Sequence, residues 1–375
     1  MRIFFAVPRS AWVDLNLRRS LEAMGHELVP FTFPGWPDDA DPRWRQRGKP
    51  RNNERLLRAF ESAMQERPID LVFGYFYSSV VYPETLDAIR RHGIPTVNFS
   101  CNNVHQFDLL EEIAPRFDLC VVPEQAALDK FRAVGARPVR IQLAANPDVY
   151  RPYPEPRIFD VTFVGQRYAD RAEFMCHLYR SGIRVRAWGA GWQTRKRPNL
   201  ATFRAALALV EDERLDGVWR LLRRRRADIH EPGGPEATAP GIERDVAAFG
   251  GPRLLQRDLI RTFSQSRISL GFATAGNSHR GSRRLTHLRL REFEAPMSGA
   301  LYLTERQPEL EEYFRIGEEV LCYEDPDDLL DQVRHYLAHP EQAERVRRAG
   351  RKRALRDHTW QHRFGELFAA LGLKG

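Results

Sequence analysis

Cysteine is scarce in this sequence: four residues, at positions 101, 120, 176 and 322, with no Cys-x-x-Cys pair and no cysteine–histidine cluster. That spacing offers neither a disulfide framework nor the ligand set of a structural zinc, and it predicts a reducing, cytoplasmic setting. Long apolar runs are missing as well. The N-terminal run, Ile3–Val7, stops after five residues, where a secretory signal needs roughly 7–15. No stretch approaches the ~20 apolar residues of a membrane span. Basic residues do not interleave with aromatics as in a stacking platform, and no nucleic-acid module is recognisable, so nucleic acid is not an expected partner.

What the chain has is length enough for two hydrophobic cores, at 375 residues, and an excess of positive charge. The net charge of +8 suits phosphate-bearing small molecules or an anionic membrane surface, without choosing between them.

Short apolar runs alternate with helical patterns, the rhythm of parallel βαβ units. Strands are expected at Ile3–Val7, His26–Phe31, Ile69–Gly74, Ile94–Phe99 and Leu119–Val122. Helices are expected at Val13–Met24, from an Asn52 cap to Glu66, at Pro83–His92 and at Glu124–Val134. Four prolines between Asn146 and Pro156 then mark a linker. The rhythm restarts with strands at Asp160–Val164, Ile183–Trp188, Ile268–Phe272, Ala300–Leu303 and Glu319–Tyr323. Helices are expected at Arg171–Ser181, Leu254–Ser264, Arg289–Met297, Pro326–Ala338, Glu341–Arg356 and Trp360–Leu371. The expectation is two Rossmann-like doubly wound α/β lobes with a cleft between them: a first lobe over 1–150, a second over 151–357, and a C-terminal helix, 358–375, crossing back to the first lobe.

Between Thr194 and Phe249 the pattern breaks, and an insertion around 195–248 is expected in the second lobe. It contains Arg223-Arg224-Arg225-Arg226 and a Gly/Pro-rich loop, Glu231–Gly241. Four arginines at a helix C-terminus suit the dipole as a solvated end; the other reading is an anchor for an acidic acceptor or anionic lipid headgroups. The Asp325-Pro326-Asp327-Asp328 run has an Asp-x-Asp form, but it reads as a helix start with Asp325 as cap, not as a metal site.

Ligands of open α/β sheets sit at the carboxyl ends of strands, and two connections there look suited to anions. In Val164-Gly165-Gln166-Arg167-Tyr168-Ala169-Asp170-Arg171, glycine admits close backbone approach, while Arg167 and Arg171 bracket a helix start. The second connection leaves Phe272 as a polar, glycine-punctuated loop containing Arg280 and Arg283. It ends in Arg289-Leu290-Arg291-Glu292-Phe293-Glu294-Ala295-Pro296-Met297-Ser298-Gly299. Arg291 and Glu294 share a helix face. They read either as an exposed ion pair of ~0.3–0.5 kcal/mol, or as a clamp in which Arg291 faces a diphosphate and Glu294 accepts two vicinal ribose hydroxyls. In the first lobe, the strand ending at Phe99 leads into Ser100-Cys101-Asn102-Asn103-Val104-His105-Gln106-Phe107-Asp108. There Asn103, His105 and Asp108 are candidates for the reacting centre, with His105 or Asp108 as base. Pro8-Arg9-Ser10-Ala11-Trp12 leaves the first strand towards the same end, where Trp12 either contacts a ligand or packs.

The signature Arg291-x-Phe293-Glu294-Ala295, with Gly299, Leu301-Tyr302-Leu303-Thr304, Gly317-Glu318-Glu319, Tyr323 and Asp327-Asp328-Leu329, resembles the CgeB-like (spore-maturation) glycosyltransferases. These are relatives of glycosyltransferase family 4 with the GT-B fold. Phe163-Val164-Gly165, Trp188-Gly189-Ala190-Gly191-Trp192, Ala144-Ala145-Asn146-Pro147 and His358-Thr359-Trp360-Gln361-His362-Arg363-Phe364 are similar too. The resemblance implies a nucleoside diphosphate sugar as donor, with a UDP-sugar favoured, and a glycan, protein or small-molecule acceptor. It implies retention of anomeric configuration, and no cofactor or metal is expected. Glu294 would hold the donor ribose, with Gly165, Arg171 and Arg291 around the diphosphate. The chain departs from the broader family at Thr286, where a second glutamate often contacts the sugar, and from CgeB-like chains at Asn102 and Asn103, where acidic residues are common. Two rivals stay open: a nucleotide-sugar 2-epimerase of the same architecture, and a non-catalytic binding protein.

Overall fold

A computed structural model describes residues 1–35, 37, 41–193, 241–274 and 285–373. Its twelve strands fall into two parallel sheets. The first contains β1 (Arg2–Pro8), β2 (Glu27–Phe33), β3 (Leu71–Gly74), β4 (Thr96–Phe99), β5 (Leu119–Val121) and β6 (Pro138–Val139), in the order β2-β1-β3-β4-β5-β6. Every residue of β1 is buried, as a strand covered on both faces requires. On the edge strand β2, Phe31 and Phe33 are buried while Pro30 and Thr32 are exposed. The second sheet contains β7 (Phe159–Val164), β8 (Val185–Trp188), β9 (Gly250–Gly251), β10 (Ser266–Leu270), β11 (Tyr302–Glu305) and β12 (Leu321–Tyr323), in the order β12-β11-β10-β7-β8-β9. That is the strand order of dinucleotide-binding folds. Its core gathers Val161, Phe163, Met175, Trp192, Leu270 and Tyr323.

Two compact units result. The first comprises Met1–Arg151, Leu288–Ser298 and Arg351–Gly375; the second comprises Pro152–His287 and Gly299–Gly350. Strand order reverses between β1 and β3 in one sheet and between β7 and β10 in the other. Ligand sites of such sheets form at the carboxyl ends of strands flanking these reversals. The segments there are Arg9–Trp12 after β1, Gly165 onward after β7, and Gly271–Thr274 after β10. No helix among the described residues is long and apolar enough to cross a membrane.

Several local expectations are corrected. The helix placed after an Asn52 cap starts earlier and spans Lys49–Glu66. Asn52 and Asn53 lie buried within it, and their side-chain amides donate to the Val80 carbonyl at 3.1 and 3.2 Å. The β6 and β9 strands and an Ile242–Phe249 helix are additions. The Arg223–Arg226 run and the Glu231–Pro240 loop lie outside the described residues.

The Asp325 reading holds. Its Oδ1 accepts the amides of Asp327 and Asp328, both at 2.9 Å, at the head of the Pro326–Ala338 helix. Asp325→Ala should therefore cost about 1 kcal/mol in urea unfolding; an unchanged midpoint would show that the cap contributes nothing.

Candidate functional site

The Arg291–Met297 helix groups with the first unit, and six of its seven residues, Glu292 to Met297, are buried. Gly299, at φ +77°, supplies the left-handed residue that follows the helix. Glu294 is 0% exposed and paired with Arg291, so the exposed ion-pair reading does not apply. A carboxylate so placed must be fully hydrogen-bonded. The Tyr150 hydroxyl donates to Oε1 at 2.6 Å and the Trp12 indole N–H donates to the same oxygen at 3.2 Å, while Arg291 takes Oε2.

Local sequence explains how Tyr150 arrives there. The Asn146-Pro147-Asp148 segment turns back on itself: the Asn146 carbonyl accepts the Tyr150 amide at 2.8 Å, and Asn146 Oδ1 accepts the Asp148 amide at 3.0 Å. Asn146 Nδ2 donates to the Leu15 carbonyl at 2.8 Å, and its own amide donates to Asn16 Oδ1 at 3.3 Å. Asn16 Nδ2 then donates to the Tyr150 oxygen at 3.4 Å and to the Trp12 carbonyl at 3.1 Å. Trp12 packs as well as binds, stacking on Phe99 with ring centroids 6.5 Å apart and meeting Trp360 edge-on at 5.7 Å. The packing reading of Trp12 is realised, and its indole also bonds Glu294; Tyr150 and Asn16 were not anticipated.

Beside Glu294, Glu292 is also 0% exposed. Its Oε2 accepts the Arg289 amide at 2.8 Å, and its Oε1 has no hydrogen-bond partner among the described residues. Burial pushes this carboxyl up to about 7, against the backbone hydrogen bonds and the charges of Arg289 and Arg291, which pull it down.

The segment after β4 is pinned at several points. Val104 donates its amide to the buried Glu124 carboxylate at 2.6 Å, and the Tyr77 hydroxyl donates to the Cys101 carbonyl at 2.8 Å. Asn102 takes the left-handed conformation at φ +60°, which asparagine tolerates better than most residues. Asn103 is 0% exposed; its amide donates to Ser100 Oγ at 2.7 Å, and its Oδ1 has no partner among the described residues. His105 is exposed. Partial burial, then the charges of Arg289 and Lys130, hold its imidazole below the usual histidine range. The shift favours the neutral imidazole, the state a general base needs. Arg289 thus lies close enough to His105 to act on its charge. Asp108 is exposed in a short 3-10 turn, Phe107–Leu109, and no hydrogen bond or ion pair among the described residues engages its side chain.

In the second unit, the turn after β7 depends on close backbone approach. The Gly165 amide donates to the Trp188 carbonyl at 2.9 Å, and the Trp192 indole donates to the Gly165 carbonyl at 2.8 Å. A Cβ on Gly189, at φ +144°, would lie 2.1 Å from the Gly165 oxygen, so no other residue fits there. Arg167 forms an ion pair with Glu243, at 3.1 Å for one of its contacts. Arg171 is buried; its guanidinium donates to the Gln166 carbonyl at 2.8 Å and the Tyr168 hydroxyl at 2.6 Å, and stacks 3.8 Å above the Tyr168 ring. Glu305, another residue not anticipated, is buried and accepts the amides of Ala273 and Thr274 at 2.9 and 3.0 Å, fixing the segment after β10. Thr286 bridges to Thr274. Arg280 and Arg283 lie outside the described residues.

Solved structures with the same arrangement define the class. Sucrose-phosphate synthase from Thermosynechococcus elongatus is similar at 12% identity over 99% of each chain, with a TM-score of 0.60. HepE from Anabaena, in complex with UDP and glucose, is similar at 11% over 99% of each, TM-score 0.59. A glycosyltransferase from Rickettsia africae ESF-5 is similar at 10% over 98% of this chain and 97% of its own, TM-score 0.56. The fold is GT-B, two doubly wound parallel sheets. A profile of the glycosyl transferase-like family matches residues 167–369, and the chain belongs to that family. No curated protein matches by sequence.

The Glu292 carboxyl makes a pH prediction. The folded protein keeps a proton that the unfolded chain releases near pH 4.5, so stability is full below that pH and falls as pH rises through about 7. Glu292→Gln abolishes this fall and should gain about 3 kcal/mol over wild type at pH 8. Urea unfolding of both proteins at pH 5 and pH 8 measures it; curves that stay parallel would assign the proton elsewhere.

Proposed function

We propose that this chain transfers a sugar from a nucleoside diphosphate sugar to an acceptor hydroxyl, as a CgeB-like member of its family. The observation that carries the reading is that the matched span, 167–369, includes the Arg291–Gly299 signature with its fully buried glutamate. Glu294 takes the two hydroxyls of the donor ribose on its carboxylate, and Arg291 balances its charge. The Gly165 turn offers backbone close to a diphosphate. Arg171, bonded and stacked within that turn, keeps it in shape. Arg167, neutralised by Glu243, has the lesser part.

The acceptor hydroxyl attacks the anomeric carbon as the bond to the diphosphate breaks, and the hydroxyl proton leaves to a base. His105, whose surroundings favour its neutral form, is the favoured base over Asp108, and Asn103 orients the loop that carries it. The donor is a UDP-sugar, a choice supported by the complexes of HepE with UDP and with UDP-glucose. The reaction retains anomeric configuration, the acceptor attacking from the face that the diphosphate leaves, and needs no metal. The Asp325-Pro326-Asp327 sequence caps a helix instead.

Glu294→Ala should weaken UDP-sugar binding by calorimetry roughly ten- to hundredfold, with the fold intact by circular dichroism. Full affinity in that variant would remove Glu294 from the site. Transfer also predicts free UDP in step with acceptor glycosylation, undiminished by chelator; a changed sugar without UDP release would identify a 2-epimerase.

A further inference from the structure

We propose that Tyr150 and Trp12 form a latch on the Glu294 carboxylate, occupying the place of the ribose diol and yielding it only when donor binds. The inference rests on the reading that Glu294 receives the ribose. Two neutral donors, the Tyr150 hydroxyl and the Trp12 indole N–H, converge on one oxygen at 2.6 and 3.2 Å, while Arg291 holds the other. A vicinal diol would present the same chemistry, two uncharged donors side by side. With Glu294 0% exposed, a ribose cannot reach the carboxylate while these contacts stand.

The latch is preset by its surroundings. Asn16 Nδ2 donates to the Tyr150 oxygen at 3.4 Å, and the Tyr150 hydroxyl donates on to Glu294. Asn146 fixes both members of this relay, through its carbonyl to the Tyr150 amide and its own amide to Asn16 Oδ1. Trp12 is steadied by Phe99 and Trp360. The unliganded carboxylate therefore keeps its hydrogen bonds at the expense of donor affinity, which is reduced by the fraction of molecules in which the latch is open. The glutamate stays satisfied when the site is empty, and donor must offer both hydroxyls to replace what it displaces.

The test is UDP titration by calorimetry of the full chain as wild type, Tyr150→Phe, Trp12→Phe and Glu294→Ala. Phenylalanine at 150 keeps the buried ring and loses only the hydroxyl; phenylalanine at 12 keeps an aromatic against Phe99 and loses the N–H. The latch predicts that each of these two variants binds UDP more tightly than wild type, Tyr150→Phe by about tenfold, while Glu294→Ala binds it more weakly. Weaker or unchanged UDP binding in both phenylalanine variants, with Glu294→Ala still impaired, would overturn the latch and make Tyr150 and Trp12 positioning residues. Normal binding by Glu294→Ala would instead overturn the reading beneath it. Thermal unfolding of each variant checks its fold, and the Trp12 variant carries the test if Tyr150→Phe does not fold.

Discussion

A carboxylate removed from water has to be paid for locally, and the first unit is arranged around doing so for Glu294. The cost of burying an ionised group unpaired runs to several kcal/mol, so its partners cannot be incidental. Arg291 comes from one turn earlier on the same helix, Trp12 from the segment after β1, and Tyr150 from the turn set by Asn146. Two stretches distant in sequence are thereby tied to this helix. Displacing any of them leaves a buried oxygen short of a donor.

The sheets supply the rest of the logic. In each, strand order reverses beside a strand whose outgoing segment carries unusual constraint: Arg9–Trp12 beside β1, and the Gly165 turn beside β7. The Gly165–Gly189 approach admits no side chain, and the Arg171 guanidinium, sandwiched among Tyr168, Phe163 and Phe272, holds that turn from beneath. An arginine read from sequence as a ligand for phosphate thus has a structural task in this turn. Buried Glu305 gives the segment after β10 the same kind of support.

How much of this was legible in the sequence follows from the range of the interactions. The Pro326–Ala338 and Trp360–Leu371 helices start where the pattern places them, because Asp325 and Thr359 cap their first turns. Arg291 and Glu294 could be paired from their spacing alone. The two-residue strands β6 and β9 carry no periodic pattern, and β9 is Gly-Gly. Asn52 resembles a cap, yet its amide reaches Val80, 28 residues away. Tyr150 reads as part of a proline-rich linker because its partner, Glu294, is 144 residues distant, and nothing local announces a bond of that span. The burial of Glu294 was invisible for the same reason, although its identity was not.

A crystal structure of the chain with UDP tests the account most directly. It should show the ribose 2′- and 3′-hydroxyls within hydrogen-bond distance of the Glu294 carboxylate, with the Tyr150 hydroxyl moved off Oε1. UDP bound with the Tyr150–Glu294 hydrogen bond intact and the carboxylate still buried would contradict it.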